Sequence, residues 1–170
     1  MIPSCQHPFF KFRYVKSTGL FFILFLGLLL TSCGKKFLFD DVRTLPSEGW
    51  QKDQKERFVF TVLDTTNTFL FYLHVRNEID YRYSNLYVFM ETQFPNGNIT
   101  RDTLECILAE PSGKWTGKGY GRLKENMILL NPTIKFPVKG AYTIDIEQAM
   151  RDENLEGITN IGIRIERNPR

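Results

Sequence analysis

Few residues in this 170-residue chain have the type and setting for covalent chemistry, and Cys33 is the most informative of them. It follows Leu30, Thr31 and Ser32, which close an apolar run of eleven residues at 20–30, LFFILFLGLLL; Lys11, Arg13 and Lys16 lie upstream. A basic segment, an apolar core and then small residues make a secretory signal peptide. Eleven helical residues reach about 16 Å, half of a ~30 Å hydrocarbon core, so a removed signal is expected rather than a permanent span. Leucine three places before the cysteine, then Thr31 and Ser32, is the pattern of a bacterial lipobox, whose thiol is acylated with palmitate-type chains and becomes the new N-terminus. Each buried methylene contributes about 0.8 kcal/mol, so several chains give a lasting membrane anchor. The competing reading is an ordinary cleaved signal with Cys33 there by chance. The cysteine stands where the apolar run stops, which favours acylation.

The other reactive types are sparse. Past the signal there is one histidine, His74, in an apolar strand-like run where it shares a face with Tyr72, opposite Leu73 and Val75. No serine lies in a nucleophile motif, so His74 reads as structural or surface rather than catalytic. The glycine-rich stretch from Gly113 to Gly121 invites a phosphate-loop reading. Lys118 is followed by glycine rather than Ser or Thr, however, and no helix pattern comes after it. A loop or bulged strand exposing Trp115 and Tyr120 fits better. Asp152, Asn154, Glu156 and Gly157 resemble the start of a calcium loop, but position twelve is Ile163 where a bidentate glutamate should stand. No catalytic residue, metal site or cofactor is expected. Asn98-Ile99-Thr100 matches a glycosylation acceptor and is explained by a hairpin turn. Cys106, in the alternating run Leu104, Cys106, Leu108, reads as a small buried residue without a disulfide partner, since Cys5 leaves with the signal and Cys33 is acylated.

The elements that would hold these residues are strands. Residues 58–62, 70–75, 86–90, 102–108, 127–130, 134–136, 142–146 and 161–165 are short runs rich in aromatic and β-branched types, several of them alternating. Turn chemistry separates them, most plainly Pro95-Asn96-Gly97-Asn98. Only residues 147–155 suit a short helical turn. This predicts an all-β fold, an antiparallel β-sandwich of about seven to nine strands after a cleaved lipoprotein signal peptide. The expected division is 1–32 signal peptide, 33–49 lipidated tether, where no period persists, and 50–170 one sandwich domain. Three of the 22 Lys and Arg leave with the signal; the remainder balance the 19 acidic residues, so charge gives no reason to expect nucleic acid.

Trp50, Trp115, Tyr81, Tyr83 and Tyr120 fall between the strand runs. With Arg76, Asn77 and Arg82 nearby, the set Arg76, Asn77, Tyr81, Arg82, Tyr83, Trp115 and Tyr120 is a candidate partner surface, of types enriched at binding hot spots. The alternative packs Tyr81 and Tyr83 inward and pairs Arg76 with Glu78 or Asp80.

A series of motifs adds to this. Leu45-Pro46 with Gly49-Trp50; Arg76-Asn77 followed by Tyr81, Tyr83 and Ser84-Asn85-Leu86; Pro95-Asn96-Gly97 with Asp102-Thr103-Leu104-Glu105; and Gly157-Ile158 with Ile161-Gly162-Ile163-Arg164-Ile165 together resemble the gliding-motility lipoprotein GldH family of Bacteroidetes. The resemblance runs from Cys33 to Glu166. It implies a non-enzymatic cell-envelope lipoprotein, tied to gliding motility and type IX secretion through contacts with envelope proteins, with no established active-site residues to carry over. A glycan-binding surface lipoprotein of sandwich type is the alternative, motivated by the loop aromatics. No carboxylate pair is spaced for glycoside hydrolysis. Gly34-Lys35-Lys36 after Cys33, without an acidic cluster, favours an outer-membrane anchor with the domain facing the periplasm.

Overall fold

The computed structural model describes residues 37–169. The elements in them are all strands: β1 (Phe37–Thr44), β2 (Trp50–Gln51), β3 (Glu56–Val62), β4 (Phe69–Glu78), β5 (Asn85–Gln93), β6 (Ile99–Ile107), β7 (Leu123–Ile134), β8 (Gly140–Gln148), β9 (Asn154–Leu155) and β10 (Ile158–Arg167). Eight long strands form two four-stranded sheets, ordered β1-β10-β4-β7 and β3-β8-β5-β6, and β2 pairs with β9 in a short ribbon. Every pairing is antiparallel. The all-β sandwich reading holds.

Alternation explains why these segments are strands. In β3, Phe58, Phe60 and Val62 are buried while Arg57, Val59 and Thr61 face solvent. In β10, Ile161, Ile163 and Ile165 are fully buried, and Leu73 and Val75 of β4 match them. The two inner faces meet in a single core, whose centre is aromatic. Phe60 stacks on Tyr142 with ring centroids 5.7 Å apart, and Phe136 meets Tyr142 edge-on at 5.1 Å. Such pairs add about 0.5–1.5 kcal/mol beyond the area they bury. Tyr142 keeps its hydroxyl satisfied by donating to the Val138 carbonyl at 2.8 Å.

Three local expectations change. Residues 37–49, read as tether, belong to the fold: β1 pairs with β10 along its length, and Leu45 and Trp50 are buried. The pattern was hidden because the register slips between Phe37 and Phe39, breaking the alternation. β1 is also an edge strand whose polar residues pair across it, Arg164 donating to Asp40 at 2.8 Å. The two runs at 127–130 and 134–136 are not two strands. β7 is continuous through Pro132, tolerated because β7 is itself an edge, and Phe136 lies beyond it in the turn yet is buried. Residues 147–155 form the end of β8, a turn and β9 rather than a helical turn. The expected signal peptide at 1–32 and residues 33–36 of the expected tether, with Cys33, lie outside the described residues.

The register also fixes which connections share an end. Phe37 pairs with Glu166, Arg167 with Phe69, and Phe69 with Ile134. At that level lie the turns at 63–68, 94–98 and 135–139. The connections at 45–55, 79–84, 108–122 and 149–157 gather at the opposite end.

Candidate functional site

The opposite end holds all seven residues of the predicted partner surface, but it divides them. Asn77 and Tyr81 are buried, with Tyr81 only 5% exposed, so these two are corrected from surface to interior. The Tyr81 hydroxyl donates to the Asn85 carbonyl at 3.0 Å, and its ring packs edge-on against Tyr83 at 5.7 Å and near Trp115 at 6.5 Å. Burial holds the Tyr81 phenol above its ordinary pKa, with smaller contributions from Tyr83, Asp152 and Cys106. Tyr83 and Trp115 are half-buried against the core. The Tyr83 hydroxyl donates to the Asp152 carboxylate at 2.9 Å, a hydrogen bond that raises its own pKa. Arg76 is half-buried and reaches Glu125 at 3.6 Å, rather than the Glu78 or Asp80 expected from its neighbours. Arg82 and Tyr120 are exposed, Tyr120 completely. Trp50, also read as a loop aromatic, is fully buried and donates its indole N–H to the Gln54 carbonyl at 2.9 Å.

Sequence reasoning missed the residues that stitch this end together. Asn126 is buried in β7; its amide donates to Asn77 Oδ1 at 3.0 Å, and its own Oδ1 lies 3.0 Å from the Thr116 hydroxyl. A buried amide must find partners, and this chain of contacts joins β4, β7 and the 108–122 connection. Gln148 organises the neighbouring turn, donating to the Asp152 carbonyl at 2.7 Å and accepting from the Met150 N–H at 2.8 Å. Gly157 sits at φ +86°, and a Cβ there would lie 3.1 Å from the Tyr81 Cα, so the turn closes on Tyr81 only with glycine. A polar inward position in a strand was the available signal for Asn126. Nothing in the sequence indicated its partners.

The remaining chemistry is quiet. His74 is buried on the outward face of the first sheet, directly across from Gly162, with Nε2 2.6 Å from Glu125 Oε1. Its polar partner is a carboxylate rather than a hydroxyl, and the hydrogen bond from His74 is the main reason the Glu125 carboxyl is held below its ordinary range. His74 Nδ1 and Arg164 Nε, both in this sheet, are buried without a hydrogen-bond partner among the described residues. Cys106 is fully buried and has no disulfide partner among the described residues, its thiol pushed up to about 12 by burial. The calcium-like residues Asp152, Asn154 and Glu156 line a polar cleft of about 260 Å³. Asp152 is taken by Tyr83, and Asn154 bonds the Glu48 carbonyl and Gln51. Among the described residues no group of three or more His, Cys, Asp or Glu side chains is placed to hold a metal ion.

What stands exposed at this end is a rim of aromatic and basic side chains. Tyr120 crowns the 108–122 connection, Arg82 stands on the 79–84 connection, and Lys114, Lys118 and Arg122 are exposed around them. Arg122 is paired with Asp80.

Comparison with known proteins places the chain in a family. The sequence model described as GldH lipoprotein matches residues 38–165, well over half of the chain. The Gliding motility lipoprotein GldH homolog of Christiangramia forsetii is 36% identical over 156 residues, covering 88% of this chain and 95% of that protein. The Gliding motility lipoprotein GldH of Flavobacterium johnsoniae is 35% identical over 159 residues, covering 89% of this chain and 97% of its own length. The chain belongs to the GldH lipoprotein family.

Proposed function

We propose that this protein is a non-enzymatic envelope lipoprotein that supports gliding motility and the type IX secretion machinery linked to it, working through contacts with other envelope proteins. The observation that carries this reading is its similarity to the Flavobacterium johnsoniae gliding motility lipoprotein along 97% of that protein. The anchor is the acylated Cys33, in the outer membrane with the sandwich in the periplasm. The contact surface is the rim at the end of the sandwich opposite Phe37, centred on Arg82 and Tyr120. Tyr81, Asn77 and Trp50 lie beneath it and fix its shape; Arg76, Tyr83 and Trp115 form its half-buried margin.

The test is made in a Flavobacterium johnsoniae strain lacking its own GldH and supplied with this chain. Surface movement is expected to return. Cys33→Ala is expected to move the protein from the detergent phase to the aqueous phase and abolish rescue. The double variant Arg82→Glu and Tyr120→Ala should stay membrane-bound and folded while losing a crosslinked envelope partner. Failure of the parent chain to restore movement refutes the motility reading; undiminished crosslinking in the double variant refutes the surface.

A further inference from the structure

At the end of the sandwich that carries Phe37, the two sheets do not close. The residues of β6 that face the first sheet are Thr100, Asp102, Leu104 and Cys106, paired with Thr92, Met90, Val88 and Leu86 of β5. Of these four only Cys106 is buried; Thr100 and Asp102 are exposed and Leu104 is half-buried. The first sheet should cover them with β7, but β7 shifts register twice near Asn131, and bulges bend a strand away from its plane. The gap is a cavity of about 250 Å³ whose walls are Phe71, Met90, Leu104, Leu130, Ile134 and Ile144. Its mouth carries Thr100, Asp102, Asn131 and Lys135, all exposed.

The size and lining select the kind of occupant. An apolar cavity of about 150 Å³ holds a benzene-sized molecule, and drug-sized pockets begin at about 300 Å³. A slim apolar group fits; a folded peptide or a sugar does not match walls that offer it few polar partners.

The position of the cavity says where such a group would come from. Cys33 precedes Phe37 by four residues, a fully extended reach of at most about 14 Å. If Cys33 is the membrane anchor, the level of Phe37, and with it Ile134 and the turn at 135–139, is held close to the bilayer surface. Exposed groups at that level suit an interface: Leu63 is 76% exposed and Ile99 59%, while Lys135 and Lys139 are exposed cations, which anionic lipid surfaces attract. We propose that the cavity between β6 and β7 takes in the terminal methylenes of one acyl chain of a bilayer phospholipid, with Lys135 at the mouth against the headgroup phosphates of the membrane surface. This rests on the anchored reading of Cys33. The bound chain would fix the tilt of the sandwich on the membrane and point the Arg82 and Tyr120 rim away from it.

The test uses the full-length acylated lipoprotein, reconstituted into vesicles of phosphatidylethanolamine and phosphatidylglycerol. The vesicles contain a phosphatidylglycerol tracer with a photoactivatable group at the end of one acyl chain. Adducts mapped by mass spectrometry are expected on Leu104, Leu130 and Ile134. Lys135→Glu, on an exposed turn, should lower them several-fold, and Leu104→Trp, which fills the cavity, should lower them more than tenfold. Adducts confined to Leu63 and Ile99, or undiminished in Lys135→Glu, overturn the lipid site and leave the anchor reading intact. An intact mass without acyl groups on Cys33 overturns the anchor reading by itself.

Discussion

Replacing Tyr81 and Tyr120 separately tests how the loop end is built, because the two tyrosines lie in neighbouring connections and differ almost completely in exposure. Tyr81 is 5% exposed, packs against two aromatic rings and gives its hydroxyl to the Asn85 carbonyl. Truncating a buried aromatic to alanine costs about 3–5 kcal/mol. A domain of this length shifts its melting temperature by about 3–5 °C per kcal/mol, so Tyr81→Ala is expected to lower Tm by about 10–20 °C. Tyr81→Phe keeps the ring and removes one hydrogen bond, a loss of about 1 kcal/mol, hence about 3–5 °C. Tyr120 is fully exposed, and its replacement by alanine should stay within about 0.5 kcal/mol of the parent. The assay is thermal unfolding of the detergent-solubilised lipoprotein, followed by circular dichroism. The reasoning fails if Tyr81→Ala melts within about 2 °C of the parent, or if Tyr120→Ala falls as far as Tyr81→Ala does.

Gly162→Ala should destabilise by about 1–3 kcal/mol, as overpacking does. The new Cβ would lie 2.6 Å from the Asp41 carbonyl oxygen, backbone that cannot turn aside, so β1 must shift; a denaturant midpoint equal to the parent's would contradict this. Cys106 is fully buried with its thiol pushed up to about 12, and should react with thiol reagents only as the protein unfolds; prompt modification of the native protein would show the site to be open. The Asp64 carboxylate is held well below its ordinary range, first by the Asn67 side chain and then by Thr66. A depressed folded pKa means the unfolded chain binds more protons, so this contribution is present above about pH 4 and is lost as pH falls through the folded value. Asp64→Asn should accordingly flatten the acid limb of a stability-against-pH curve, and an unchanged limb would refute the assignment.

The strand class and the family were legible in the sequence, and the anchor was proposed from it, because each rests on local order. A basic segment, an apolar run and a cysteine are contiguous. Alternation in residues 142–146 and 161–165 needs only a period of two. Asn96-Gly97 marks its hairpin because the turn itself demands a positive φ, +85° at Gly97. What the sequence could not display was decided by partners distant along the chain. Residues 37–44 look patternless until β10 arrives, more than a hundred residues later, to pair with them around a bulge. Tyr81 and Trp50 look like loop aromatics because their neighbours are polar. They are buried because Trp115 and Gly157 close over Tyr81, and because β9 brings Leu155 to pair with Trp50. Arg82 and Tyr120 resemble them in sequence and stay outside because nothing packs over them. Burial belongs to the assembled sandwich, so residue type alone proposed seven surface residues and the tertiary structure left two exposed.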